Sequence, residues 1–354
     1  MSDSKKPATV IYDPEYYKLK EKFINDNYEI KQFISLKQKH AGTVFNGKQV
    51  ALISQIEIIN GKVIIAIPFN YGITNLFKFL LMKGVEKDDI VITFNKPNYI
   101  PDEQAVWMPE SVVKHAIMPD GNFVCEIEGR KLLTSSYNEL LIVKEVFYTK
   151  CYDFFTPHTP VTIIDIGMNI GIASLFFLMK EGVSAIYSFE PFPATFERAL
   201  ENFNLNQMPE NKLFPHSYGI SNITKNLSVP YDEKIKGHMS TAFINESPSD
   251  IEKITVQIVD VNEVFAAIIK RHPDDRFIFK IDCEGGEYDI FDRLNETGLI
   301  NKIHLFIVEW HNLSNKNVSH IESILMQNNF IYQIIGSRHR SPGMIFATNG
   351  QNSA

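Results

Sequence analysis

The second half of the chain alternates short β-branched runs with helix-patterned stretches, and this rhythm constrains the fold more than any other feature. Strands separated by amphipathic helices form a parallel sheet covered by those helices. Residues 162–166, 185–189, 213–220, 277–283 and 304–310 read as strands. Residues 170–180, 193–206, 261–270, 287–294 and 318–328 read as helices, the second opening on Pro193, where a missing N–H costs little. Residues 331–335 and 344–348 close the chain as an antiparallel pair across a polar turn. Seven strands with interleaved helices and a final hairpin predict a doubly wound α/β sheet with an antiparallel edge. Residues 226–260 are not helix-like and read as two or three short antiparallel strands or a long loop. That segment, with 237–241 near its tip, is a candidate lid over a bound substrate or else an ordinary surface hairpin.

The first part reads as a small N-terminal α/β region. Residues 48–59 and 62–67 look like strands joined by Asn60-Gly61, a strong hairpin signal. A helix at 75–82 and a strand at 89–93 complete a β-β-α-β unit. Residues 95–109 hold Pro97, Pro101 and Pro109 and mark a boundary. The domains expected are therefore 1–110 and 111–354, the second opening with a hairpin at 122–133 around Glu128-Gly129 and a helix near 139–149.

Composition narrows the function. With 44% hydrophobic and 22% charged residues in 354, the chain is globular and long enough to bury a large core. A net charge of −7 and the absence of any basic stretch demote nucleic acid and anionic membranes as partners. Cys125, Cys151 and Cys283 are widely spaced, which argues against a disulfide framework or a zinc site and fits a reducing compartment. The N-terminus has no secretory pattern, and the most apolar run, 62–81, is too interrupted to span a bilayer. A cytoplasmic location is expected; oligomeric state is not legible.

Three clusters carry chemistry, each at the carboxyl end of an expected strand, where open α/β sheets bind ligands. The first runs from Asp165 through Gly167 and Asn169 to Gly171. Glu190 ends the next strand 25 positions after Asp165, where a carboxylate can accept both hydroxyls of a ribose. A pyrophosphate site wants glycine where Asn169 stands, and it is repelled by an acid such as Asp165. Beside a methionine ammonium or a sulfonium the same acid is attractive. The pattern therefore favours S-adenosyl-L-methionine over a nicotinamide dinucleotide.

The second cluster is Asp282, Glu284 and Glu287. Asp282 and Glu284 share a strand face and could hold an acceptor hydroxyl, bind a divalent cation or take a proton. The competing explanation for Glu287 is helix N-terminal charge stabilisation. No metal ligand set is assigned. The third cluster is Glu309-Trp310-His311, with His311 a candidate general base because imidazole titrates near ~6.5.

These blocks resemble the FkbM family of S-adenosylmethionine-dependent methyltransferases. The similar segments are IIDIGMNIGIASLFF (163–177), IYSFEPFPATFERALENFNLN (186–206), FKIDCEGGEYDIFDRL (279–294) and IVEWH (307–311). The resemblance covers roughly 120–350, with departures at Met168, Cys283 and Gly286. It implies a class I methyltransferase (Rossmann-like) fold and methylation of an oxygen, on a sugar hydroxyl of a glycan or on a secondary metabolite. It also implies that Asp165, Gly167, Asn169, Gly171 and Glu190 line the cofactor, with Asp282, Glu284 and Glu309 toward the reaction. His311 is not carried over by it. The readings that compete are a nicotinamide-dependent oxidoreductase and a non-catalytic cofactor-binding scaffold.

Overall fold

A computed structural model describes residues 5–55, 61–67, 73–92, 113–117, 123–134, 137–154, 160–230, 253–338 and 342–350. By contacts the chain separates into two compact units, Met1–Thr149 and Lys150–Ala354.

The first unit holds a parallel sheet that the sequence did not reveal. Its strands are β1 (Lys6–Tyr12), β2 (Tyr28–Ser35), β3 (Val44–Phe45), β4 (Lys48–Leu52), β5 (Lys62–Ala66) and β6 (Ile90–Ile92). Their order is β3-β4-β2-β1-β5-β6, and every pairing except β3–β4 is parallel. Helix Pro14–Asn27 makes the β1-to-β2 crossover; Asp13 caps it by accepting the N–H of Glu15 and of Tyr16, and Pro14 opens it.

The hairpin expected around Asn60-Gly61 is not formed. β4 pairs with β2, β5 pairs with β1, and these two central strands lie between them. Gly61 does adopt a left-handed φ of 83°, but the chain leaving it joins β1, whose Val10 and Ile11 are fully buried. Burial of the central strands outweighs a local turn preference.

Three further strands, β7 (Val113–Ile117), β8 (Phe123–Ile127) and β9 (Arg130–Thr134), form an antiparallel sheet. Here the turn reading holds: Glu128 and Gly129 both have positive φ, as a two-residue hairpin loop of the I′ type requires. The sequence boundary near 110 falls before these strands. By contacts they group with the first unit, where helix Ile73–Met82 packs against β7.

The second unit follows the expected rhythm closely. Its strands are β10 (Val161–Ile166), β11 (Val183–Phe189), β12 (Leu213–His216), β13 (Gly219–Ser221), β14 (Lys225–Pro230) and β15 (Lys253–Asp260). They continue as β16 (Arg276–Ile281), β17 (Ile303–Trp310), β18 (Phe330–Ile335) and β19 (Gly343–Asn349). The main sheet has the order β12-β11-β10-β16-β17-β19-β18. The first five strands are parallel, and β19 is antiparallel to both its neighbours.

Alternation sorts the sheet's faces. Ile164, Phe279 and Phe306 belong to a core with Phe265, Phe291 and Leu325 from helices Val261–Arg271, Glu287–Thr297 and Val318–Gln327. The opposite parity holds Asp165, which pairs in register with Ser188 on β11 and Lys280 on β16. That polar row meets Ser174 of helix Ile172–Phe177.

The single strand expected at 213–220 divides. β12 stays in the main sheet, while β13 turns away to pair with β15 in a three-stranded sheet, β13-β15-β14. Glycine suits this departure: a Cβ on Gly219 would stand 2.7 Å from the Ile258 side chain. β14 and β15 are antiparallel, in keeping with the reading of 226–260, but 231–252, including the candidate lid tip, lie outside the described residues. Among the described residues, no helix is long and apolar enough to cross a membrane.

Candidate active site

The carboxyl ends of β10, β11, β16 and β17 bring the three acidic clusters together. Strand order reverses between β10 and β16, which is where open α/β sheets leave a crevice.

The turn after β10 is shaped by its neighbours. Gly167 has φ 81°, and a Cβ there would fall 1.7 Å from the carbonyl oxygen of Asp282. The amide of Asp282 donates to the carbonyl of Ile166 at 3.0 Å, so the two strand ends are clamped together. Gly171 has φ 84°, and a Cβ there would press within 2.5 Å of the Phe203 ring. Asn169 between them also takes positive φ, which asparagine tolerates better than most residues.

Glu190 organises that turn. Its Oε2 accepts the N–H of Asn169 at 3.0 Å and its Oε1 the N–H of Phe192 at 3.0 Å. Burial pushes the Glu190 carboxyl up and the two amide bonds pull it down, leaving it at about 7. Each oxygen keeps a second lone pair for a ligand hydroxyl.

Asp165 does not face solvent. It is fully buried, its Oδ2 accepts the Ser174 hydroxyl at 2.6 Å, and its Oδ1 lies 3.2 Å from the Lys280 ammonium as an ion pair. Lys280, 2% exposed, also donates to the Gly167 carbonyl at 2.6 Å and stands 3.8 Å from Asp282 Oδ2. Burial works against the ammonium, but Asp165 and Asp282 outweigh it and raise its pKa. The ammonium thus ties the turn after β10 to the end of β16.

The second and third clusters merge into one. Tyr152 donates to Asp282 Oδ2 at 3.0 Å. His311 Nδ1 lies 2.6 Å from Glu287 Oε1, while Nε2 points to Glu284 Oε2 at 3.4 Å and Glu309 Oε1 at 3.9 Å. Burial disfavours the imidazolium, yet the bond to Glu287 and the charges of Glu287, Glu284 and Asp282 prevail and hold His311 up to about 9. Glu287 is fully buried, burial raises its pKa, and His311 restrains that rise. Burial likewise pushes the Cys283 thiol well up, which leaves it a poor nucleophile. None of the three cysteines is in a disulfide.

Residues 165–333 match the family described as the methyltransferase FkbM domain. Over these residues, just under half of the chain, the sequence is similar to that family. The match opens at Asp165 and runs past His311, so it contains every site residue expected from the sequence. The chain is also similar to Methyltransferase 1 of Beauveria bassiana, 26% identical in an alignment of 171 positions that covers 44% of this chain and 67% of that protein. Methyltransferase sdnD of Sordaria araneosa is 37% identical over 65 residues, 18% of this chain and 25% of that protein. Among solved structures, an FkbM methyltransferase from Methylobacillus flagellatus aligns with 12% identity and a TM-score of 0.36, covering 96% of this chain and 89% of that one.

Sequence reasoning missed two members of this site. Lys280 carried a signal: a lysine in the middle of an apolar strand needs a buried counter-charge. Tyr152 lies outside every expected element and 130 positions from Asp282, so nothing local announced it.

Proposed function

We propose that the chain is an S-adenosylmethionine-dependent methyltransferase of the FkbM family that acts on a hydroxyl oxygen, in a sugar of a glycan or in a secondary metabolite. The observation that carries the cofactor reading is the Glu190 carboxylate gripping the Asn169 amide at the turn after β10. That grip uses the N–H which a pyrophosphate would need and leaves negative charge in its place. The residues fit a sulfonium nucleoside: a buried carboxylate for ribose hydroxyls, and a glycine turn closed against Asp282.

When bound, S-adenosylmethionine supplies a methyl on a cationic sulfur for displacement by the acceptor oxygen. Asp165 acts from beneath, by fixing Lys280 and Ser174 under the turn. Asp282, Glu284 and His311 are the groups that meet the acceptor. Asp282 and Glu284 hold the hydroxyl and receive the proton the oxygen releases, while His311, held up to about 9 by its carboxylate partners, positions Glu284 and is not itself the base. The many carboxylates around the reaction region also favour a positively charged sulfur electrostatically. A cytoplasmic site of action and a small-molecule or glycan acceptor complete the proposal.

Titration of the purified chain with S-adenosylhomocysteine and with NAD tests the cofactor reading. Binding of the first and not the second is expected. Methyl transfer with Asp282→Asn, Glu284→Gln and His311→Ala tests the roles, and full activity in all three would remove them from the reaction.

A further inference from the structure

Asp282 follows β16, Glu309 lies in the last turn of the pleat of β17, and His311 follows β17. These adjacent strand ends bring one donor atom from each residue within 4.8 Å of the others. Two carboxylates and an imidazole on a short arc are a ligand set for a divalent cation, with positions left open for other ligands.

A second observation concerns the imidazole's far side. His311 Nδ1 is committed to Glu287, and Nε2 is the nitrogen that faces the carboxylates. A histidine held by a buried carboxylate on one nitrogen, with the other turned to acidic groups, has the arrangement of a metal-ligating imidazole and its supporting acid. Glu287 is fully buried, and its Oε2 has no hydrogen-bond partner. A buried acid with an unsatisfied oxygen is costly for folding alone. Its position against the histidine gives that cost a purpose.

Charge points the same way. Asp282, Glu284, Glu287 and Glu309 gather around His311, and Lys280 is the cation 3.8 Å from Asp282. Four carboxyl groups thus surround one imidazole, and the donor atoms of Asp282, Glu309 and His311 converge among them.

We propose that Asp282, Glu309 and His311 bind a divalent cation of the magnesium or manganese class, with Glu287 as the positioning residue that orients His311. The cation would hold the acceptor hydroxyl and make its proton easier to release, with the proton passing to Glu284 or to water. This catalytic role rests on the methyl-transfer reading; the binding itself does not.

The test uses the full chain, stripped with a chelator and titrated with Mn²⁺ while free Mn²⁺ is followed by electron paramagnetic resonance. One Mn²⁺ per chain in the micromolar range is expected. Asp282→Asn and Glu309→Gln should each weaken binding at least ~10-fold, and Glu287→Gln about 10–100-fold. S-adenosylhomocysteine binding measured on the same samples reports that the variants are folded. Retained S-adenosylhomocysteine binding with no Mn²⁺ binding in the unsubstituted chain overturns the cation site and leaves the cofactor reading intact. Equal Mn²⁺ affinity in the unsubstituted chain, Asp282→Asn and Glu309→Gln also overturns it. Mn²⁺ binding without S-adenosylhomocysteine binding supports the site while rejecting the cofactor.

Discussion

Asp165 and Lys280 face each other in the register of β10 and β16, and both are buried with the ammonium 3.2 Å from the carboxylate. Removing one partner of such a pair leaves an uncompensated charge, typically costing ~3–5 kcal/mol, whereas removing both costs far less. Lys280→Met should therefore lower unfolding free energy by about 3 kcal/mol or more. Asp165→Asn combined with Lys280→Met should recover part of the loss. Urea denaturation measures both. A Lys280→Met chain as stable as the original would show that the pair is not what holds the turn.

Gly167 offers a sharper contrast. Its positive φ alone would cost a side chain ~1–2 kcal/mol. The carbonyl of Asp282 adds a collision that only a backbone shift relieves. Gly298 has a similar φ of 72° but nothing within 4 Å of its Cβ position. Gly298→Ala should cost ~1 kcal/mol, while Gly167→Ala should cost more and also loosen cofactor binding. Melting temperatures and calorimetry on the two variants separate φ strain from the close approach.

The second unit was legible because β10, β11, β15, β16 and β17 are each followed in sequence by a helix. The pattern of 162–206 needs no distant information to be read. The first unit was not, because its central strands β1 and β2 lie in a stretch that offered no recognised motif, and Asn60-Gly61 gave a strong but misleading local cue. The site was legible as far as its acids went. Asp282, Glu284, Glu287 and His311 stand at visible strand ends, but that Glu287 would be buried against His311 depends on β17 lying beside β16. Asp165 shows the converse: the motif marks the residue, while only the register with Lys280 shows that it points into the protein.

Glu190 gives the molecule a pH dependence with a definite sign. Its folded value of about 7 lies above the ~4.3 of an unfolded glutamate. Between these values the unfolded chain has released the proton and the folded chain retains it. The stability contributed is full below about pH 4.3 and is lost as pH rises through about 7, a change of order 3 kcal/mol. Glu190→Gln should flatten that slope in denaturation curves collected from pH 5 to 8. S-adenosylhomocysteine affinity should run the other way, strengthening as pH rises through about 7, because the ionised carboxylate is the better hydroxyl acceptor.

At the carboxyl end of β17, the same end of the sheet as the cofactor turn, Trp310 packs against Gly343. A Cβ on Gly343 would lie 2.2 Å from the buried indole ring. Gly343→Ala should destabilise by ~1–3 kcal/mol through overpacking. Thermal unfolding followed by Trp fluorescence would register it, and an unchanged transition would mean that β19 is free to shift.

The central claim is that the turn braced by Glu190 holds a sulfonium nucleoside. Isothermal titration of the intact chain with S-adenosylhomocysteine, repeated on Glu190→Ala, addresses it most directly. The account predicts saturable binding at one site per chain, weakened at least tenfold by the substitution through loss of hydroxyl acceptors worth about 1.4 kcal/mol or more. No heat from the unsubstituted chain at millimolar ligand, or equal affinity in the two proteins, would contradict it.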